Sequence, residues 1–183
     1  MSDAQQEVLR QSLAWLAQGK GIWLCSIVAT YGSAPRPKGA LFATDGIHRS
    51  GSISGGCIED AFVDMLARGE HDAPLSLLDY GSHLAPDGSA FELPCGGRIR
   101  LLVERLEGDA ASADLDEWLT RLQGARPFVR EVLLEQGKRR YLDEETTDPC
   151  EQEAPGRVRL SYAQRWRLLL LGIQAGGINR LVF

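Results

Sequence analysis

The sequence predicts an α/β chain (α+β-like), in which helices pack on a mixed β-sheet, and three observations predict it. Apolar residues recur at helical spacing in three separate stretches. Runs rich in β-branched, aromatic and other apolar residues stand between them. Gly, Pro and Asp clusters punctuate the boundaries. With 44% hydrophobic and 25% charged residues over 183 positions, the chain can bury a core, which excludes disordered and low-complexity classes.

The elements follow in order. Residues 3–18 read as an amphipathic helix with Val8, Leu9, Ser12, Leu13 and Leu16 on one face, Asp3 as cap, and Gly19 and Gly21 as stops. Residues 22–31 form a strand that carries Cys25 as a core residue without chemistry. A turn-rich loop, Gly32-Ser-Ala-Pro-Arg-Pro-Lys-Gly39, precedes a short strand at 40–44 and a hairpin turn at Asp45-Gly46. A second helix spans 57–68, with Ile58, Ala61, Phe62, Met65 and Leu66 on one face and Gly69 as its stop. Strands follow at 75–80 and 98–106; in the second, Arg100, Leu102 and Glu104 define a wetter face. A third helix covers 114–123, and strands at 128–134 and 139–142 make a hairpin around Gln136-Gly137. The stretch 143–153, with six acids and no base, reads as a solvated loop, and Cys150 within it as incidental. Leu168–Leu171 reads as a buried strand opening a glycine turn, Gly172-Ile-Gln-Ala-Gly-Gly177, in which Gln174 stands where a dinucleotide fingerprint needs glycine.

Charge and patterning exclude several classes. A net charge of −5 lacks the basic field that phosphate backbones require, so no nucleic acid is expected as partner. No apolar run approaches the length of a membrane span, about 20 residues. The polar, acidic first residues lack the form of a signal peptide, so the expected location is cytoplasmic. The four cysteines form no CxxC pair, and His48, His71 and His83 read as ordinary surface histidines; no metal site is expected.

The chemistry concentrates in three loops. Gly51-Ser-Ile-Ser-Gly-Gly-Cys-Ile-Glu59 is a glycine–serine loop running into a helix start. There, free amides and the helix dipole favour an anion, with the Ser52 and Ser54 hydroxyls as further donors. It is neither a P-loop, which needs Lys-Ser/Thr after Gly56, nor a nucleophile elbow, which needs serine at Ile53. Cys57 in the first helical turn gains thiolate character from the dipole, although Glu59 and Asp60 oppose this. Cys95, in Pro94-Cys-Gly-Gly97, is the second thiol flanked by paired glycines. Two prolines stiffen the loop that presents Arg36, whose planar fork suits a phosphate or a polar heterocycle.

Together, Gly32-Ser-Ala-Pro-Arg-Pro-Lys-Gly-Ala40, Gly51-Ser-Ile-Ser-Gly-Gly-Cys-Ile-Glu59 and Pro94-Cys-Gly-Gly97 resemble the XdhC/CoxI family, accessory proteins of molybdenum hydroxylases such as xanthine dehydrogenase. The resemblance covers roughly residues 5–175. It implies a cytoplasmic protein that binds molybdenum cofactor (molybdopterin) transiently, assists its sulfuration and inserts it into a xanthine dehydrogenase-type apo-enzyme, with a cysteine desulfurase as sulfur source. It implies two units, a cofactor-binding domain at 1–160 and, at 161–183, the truncated start of a Rossmann-like domain represented by its first strand. An unpaired strand there would favour a homodimer. The cofactor-binding residues it implies are Ser33, Arg36, Gly39, Ser52, Ser54, Gly55, Gly56, Cys57, Glu59, Cys95, Gly96 and Gly97, with Cys57 and Cys95 as contacts for sulfur or molybdenum. A cofactor chaperone is the favoured reading over an enzyme. The alternatives are a sulfurtransferase carrying a persulfide on Cys57 or Cys95, and a scaffold that handles no cofactor.

Overall fold

A computed structural model describes residues 3–32, 34, 36–81, 97–124, 126–144, 150–154 and 156–162. Three helices and nine strands occur in the order α1 (Asp3–Leu16), β1 (Ile22–Tyr31), β2 (Leu41–Thr44), β3 (Arg49–Gly51), α2 (Cys57–Ala67), β4 (Leu75–Tyr80), β5 (Arg98–Leu106), α3 (Gly108–Gln123), β6 (Phe128–Leu133), β7 (Lys138–Leu142), β8 (Cys150–Ala154) and β9 (Arg157–Tyr162). The helices and sheets mix as expected, but the sheet is divided. One sheet has the order β3-β2-β1-β5-β4 and the other β7-β6-β9-β8. Every strand pairing in both is antiparallel.

The five-stranded sheet is covered on both faces, and the side-chain alternation of its central strands shows how. Cys25 and Ile27 of β1, Phe42 of β2, and Ile99, Leu101 and Val103 of β5 pack with Ile58 and Phe62 of α2. Their neighbours Ile22, Leu24, Leu41, Ala43, Leu102 and Leu106 face the other way, into a cluster shared with α1, α3 and the second sheet. Ser12, a polar residue on the buried face of α1, donates its hydroxyl to the Val8 carbonyl at 2.8 Å and is thereby satisfied within its own helix.

That second covered face corrects one expectation. Leu102 and Glu104 do not line a wet surface; both are fully buried, because α3 and the four-stranded sheet close over them. Glu104 is held by Arg130 of β6 through two hydrogen bonds of 2.8 and 3.1 Å. Arg130 also donates to Asp114 of α3 at 2.7 Å, and Arg139 of β7 donates to Glu104 at 2.6 Å. The Arg130 guanidinium lies 4.1 Å from the Trp118 ring centroid. Burial alone would raise the Glu104 carboxyl; Arg130 and Arg139 reverse this and hold it below the usual carboxylate range.

The acidic stretch also departs from a plain solvated loop. Residues 150–154 form β8, with Cys150 opposite Leu160 and Glu151 opposite Arg159. Asp143 accepts from Arg121 at 2.8 Å, and Glu144 pairs with Arg159. Asp143 and Glu144 thus answer arginines on α3 and β9, which lie elsewhere in the chain. His71 is buried rather than on the surface, 3.2 Å from the Ser76 hydroxyl through Nε2, and burial lowers its pKa. His48 is exposed, as expected, beside Asp45. His83 and the strand read at 168–171 lie outside the described residues. Among the described residues no helix is long and apolar enough to cross a membrane.

Removing one partner of a buried ion pair strands the other charge at a cost of about 3–5 kcal/mol, whereas replacing both is much milder. Arg130→Met is therefore expected to lower the unfolding free energy in urea by about that amount. Arg130→Met/Glu104→Leu should recover part of the loss. A double variant no more stable than the single one would show that the two charges are not coupled.

Candidate functional site

The segment between β3 and α2 turns back on itself around one side chain. Glu59 is buried at 4% exposure and receives donors from the whole loop. Its Oε1 accepts from the Ser52 hydroxyl at 2.8 Å and from the amides of Ile53 at 2.8 Å and Ser54 at 3.0 Å. Its Oε2 accepts from the Ser54 hydroxyl and from the Gly56 amide at 3.0 Å. The Ser54 oxygen in turn accepts from the Ile58 amide at 3.0 Å, and the Ser52 oxygen from the Gly55 amide, also at 3.0 Å.

This arrangement revises the reading of the loop as an open anion cradle. The anion is supplied internally: the Ser52 and Ser54 hydroxyls and the amides of Ile53, Ser54 and Gly56 converge on Glu59. Burial pushes the Glu59 carboxyl up, but the hydrogen bonds from Ser54 and Ser52 outweigh it, and the pKa falls from 4.5 to about 2. The sequence carried a signal for this contact. Glu59 stands three residues after Gly56, the N-cap of α2, which is the spacing of a capping box.

With the loop tied from within, its outer edge is formed by Gly55 and Gly56. Both have positive φ, +92° and +133°, and a Cβ added at either would meet open space. Only glycine adopts this path at no steric cost, and Cys57 follows directly as the first residue of α2. Arg36 is exposed on its loop and pairs with no carboxylate among the described residues. Gly39 is buried and spent on the scaffold: its amide donates to the Ile27 carbonyl at 2.8 Å, and its carbonyl accepts from Gln5 at 2.7 Å. Gly97 is buried at the entrance to β5. Ser33, Cys95 and Gly96 lie outside the described residues. Cys25 is fully buried, and burial, followed by the charges of Glu104 and Glu59, pushes its thiol well up, as suits inert filler.

The topology brings the motif-bearing segments to one region. Ala34 and Ala40 of the first loop pack on the same apolar cluster as Ile53 of the second loop and Ile58 of α2. Tyr80 and Ile99, next to the two residues that flank the third loop, belong to that cluster as well. Those flanking residues, Gly81 and Gly97, touch so closely that a Cβ at position 81 would lie 2.2 Å from the Gly97 carbonyl oxygen. The third segment thus leaves and re-enters the sheet beside the end of β1, where Tyr31 lies opposite Arg98.

Residues 15–81 match the XdhC and CoxI family, the one that the motifs resemble; the first two motifs fall inside this range. A comparison with curated proteins found no match. Among solved structures, the fold is similar to that of a xanthine dehydrogenase from Bacillus halodurans. The TM-score is 0.60 at 18% identity, covering 88% of this chain and 53% of that one. The chain therefore spans about half the length of that structure.

A group whose folded pKa is depressed stabilises the fold above its unfolded value and loses that contribution as pH falls through the folded value. Glu59→Gln places an amide NH₂ against donors and is expected to cost about 2–3 kcal/mol at pH 7. The difference from wild type should hold down to pH 4.5 and shrink toward pH 2, read from urea midpoints at stepped pH. A constant difference over that window would mean that ionised Glu59 does not hold the loop.

Proposed function

We propose that this protein is an accessory factor for a xanthine dehydrogenase-type molybdoenzyme. In this reading it binds molybdenum cofactor transiently, shelters it while its terminal sulfur is installed by a cysteine desulfurase, and delivers it to the apo-enzyme in the cytoplasm. The cofactor is cargo: a planar pterin with a phosphate and a dithiolene-held metal. The observation that carries the reading is the packing of the first two motif loops, and of the residues flanking the third, on a single apolar cluster. The family match at 15–81 supports it.

The chemistry of the residues fits such a guest, with the roles divided differently from a simple phosphate loop. Glu59, Ser52 and Ser54 hold the loop in shape, so the groups that would meet the cofactor are Gly55 and Gly56 at its open edge, with Cys57 next in the chain. Arg36 would supply the positive charge for a phosphate or pterin oxygen. A thiolate at Cys57 or Cys95 would suit soft molybdenum or a transferred sulfur. Ser33, Gly39, Gly96 and Gly97 would shape the surrounding backbone. Residues 1–160 would form the cofactor-handling unit, and 161–183 the start of a second, Rossmann-like one through which two copies would pair.

The test is release of oxidised, fluorescent pterin from the chain purified out of a host that makes abundant molybdenum cofactor. Wild type should release pterin; Arg36→Ala, which removes one charge-assisted contact worth about 1.5–3 kcal/mol, should retain it roughly tenfold less well or worse. Cys57→Ala should lower the sulfuration of cofactor delivered to apo-enzyme. Absence of pterin from the wild-type chain would favour a scaffold that handles no cofactor. A labelled persulfide on Cys57 or Cys95 after incubation with desulfurase would favour a sulfurtransferase.

A further inference from the structure

The central strands of the five-stranded sheet meet at their loop end in a pair that packing does not require. Tyr31, the last residue of β1, lies directly opposite Arg98, the first of β5. The Arg98 guanidinium sits 4.3 Å from the Tyr31 ring centroid. Tyr31 is 44% exposed, and among the described residues only Ile47 is another large apolar side chain left so open. The next cation along β5 is committed: Arg100 holds Asp79 through two 2.8 Å hydrogen bonds. Arg98 has no carboxylate partner among the described residues, a condition it shares with Arg36 on the adjoining loop.

A β-bulge creates this pair. From Ile22 to Ile27 the register of β1 on β5 is constant, and it shifts between Ile27 and Ala29. Without the shift, Tyr31 would face Gly97; with it, Tyr31 faces Arg98. Bulges beside functional sites commonly re-aim a side chain in this way. The product is an aromatic face and a planar fork of donors, both open to water, between the chain's exit into Gly32 and its return at Gly97.

We propose that Tyr31 and Arg98 form a stacking platform for a planar heterocycle carrying a negative charge. Guanidinium and phenol rings both stack on heterocycles, and the fork adds hydrogen bonds to ring oxygens or a phosphate. The proposal rests on the reading above and deepens it by naming the residues that hold the ring system. Two sources supply this chemistry, the pterin itself and the base of a nucleotide joined to it.

The experiment titrates pterin 6-carboxylate, followed by its own fluorescence, and separately GMP and CMP, followed by calorimetry, into the full chain. Inorganic phosphate serves as the control without a ring. Tyr31→Ala and Arg98→Ala should each weaken the heterocycle that binds by about tenfold, Tyr31→Phe by no more than about threefold, with phosphate affinity unchanged by either Tyr31 variant. Which ligand responds identifies the pterin or the nucleotide base as the guest. Heterocycle binding equal to wild type in both alanine variants would overturn the platform while leaving the proposed function standing. A wild-type chain that binds no heterocycle and releases no pterin would overturn both.

Discussion

The loop between β3 and α2 depends on a carboxylate folded back onto it. The backbone between β3 and α2 turns amide after amide toward one point, an arrangement that draws in negative charge. Such a point needs an anion whether or not a guest is present, and Glu59, one turn into α2, provides it. The loop is therefore shaped before any ligand arrives. The closed loop leaves the Gly55-Gly56 edge to face outward. Because Ile53 and Ile58, on either side of that edge, enter the apolar cluster under the sheet, the tied loop is also anchored from below.

A second ionic knot works on the opposite face of the same sheet. Glu104 and Arg130 join β5 to β6, and Asp114 and Arg139 extend the contact to α3 and β7. Such a pair adds little net stability over an apolar equivalent, yet it penalises any packing that separates the charges. It thereby fixes how the four-stranded sheet sits on the five-stranded one. The two knots share β5 as common ground, since Glu104 lies on the strand whose first residues border the loop cluster.

Local pattern made the helices and the longer strands legible in the sequence. α1, α2 and α3 bury the periodic residues Leu9, Phe62 and Leu115, and β1, β4 and β5 carry runs of apolar side chains. Three strands were not legible. β3 has only three residues and no buried side chain, β8 is mostly charged and polar in sequence, and β9 is a six-residue alternation of Val158, Leu160 and Tyr162 with Arg157, Arg159 and Ser161 that its shortness and the acidic run before it obscure. β3 and β8 pair with their neighbours β2 and β9 across short turns, and only the pairing of β9 with β6 joins distant parts of the chain. At the site, the glycine–serine loop and its helix could be read, and the capping-box spacing of Gly56 and Glu59 marks where the donors go. Glu59 stood among the expected cofactor-binding residues only through the family resemblance, and it is instead the group that ties the loop. The Tyr31–Arg98 pair depends on a one-residue bulge, which nothing in the spacing announces.

The contact between Gly81 and Gly97 has a wider consequence. Because the two backbones meet at 81 and 97, the ends of the segment between them are held together by the sheet itself. The entropic cost of lengthening a segment with joined ends is small, about 0.6 kcal/mol per doubling. Residues could thus be added between positions 81 and 97 at little cost to the sheet that the join leaves in place.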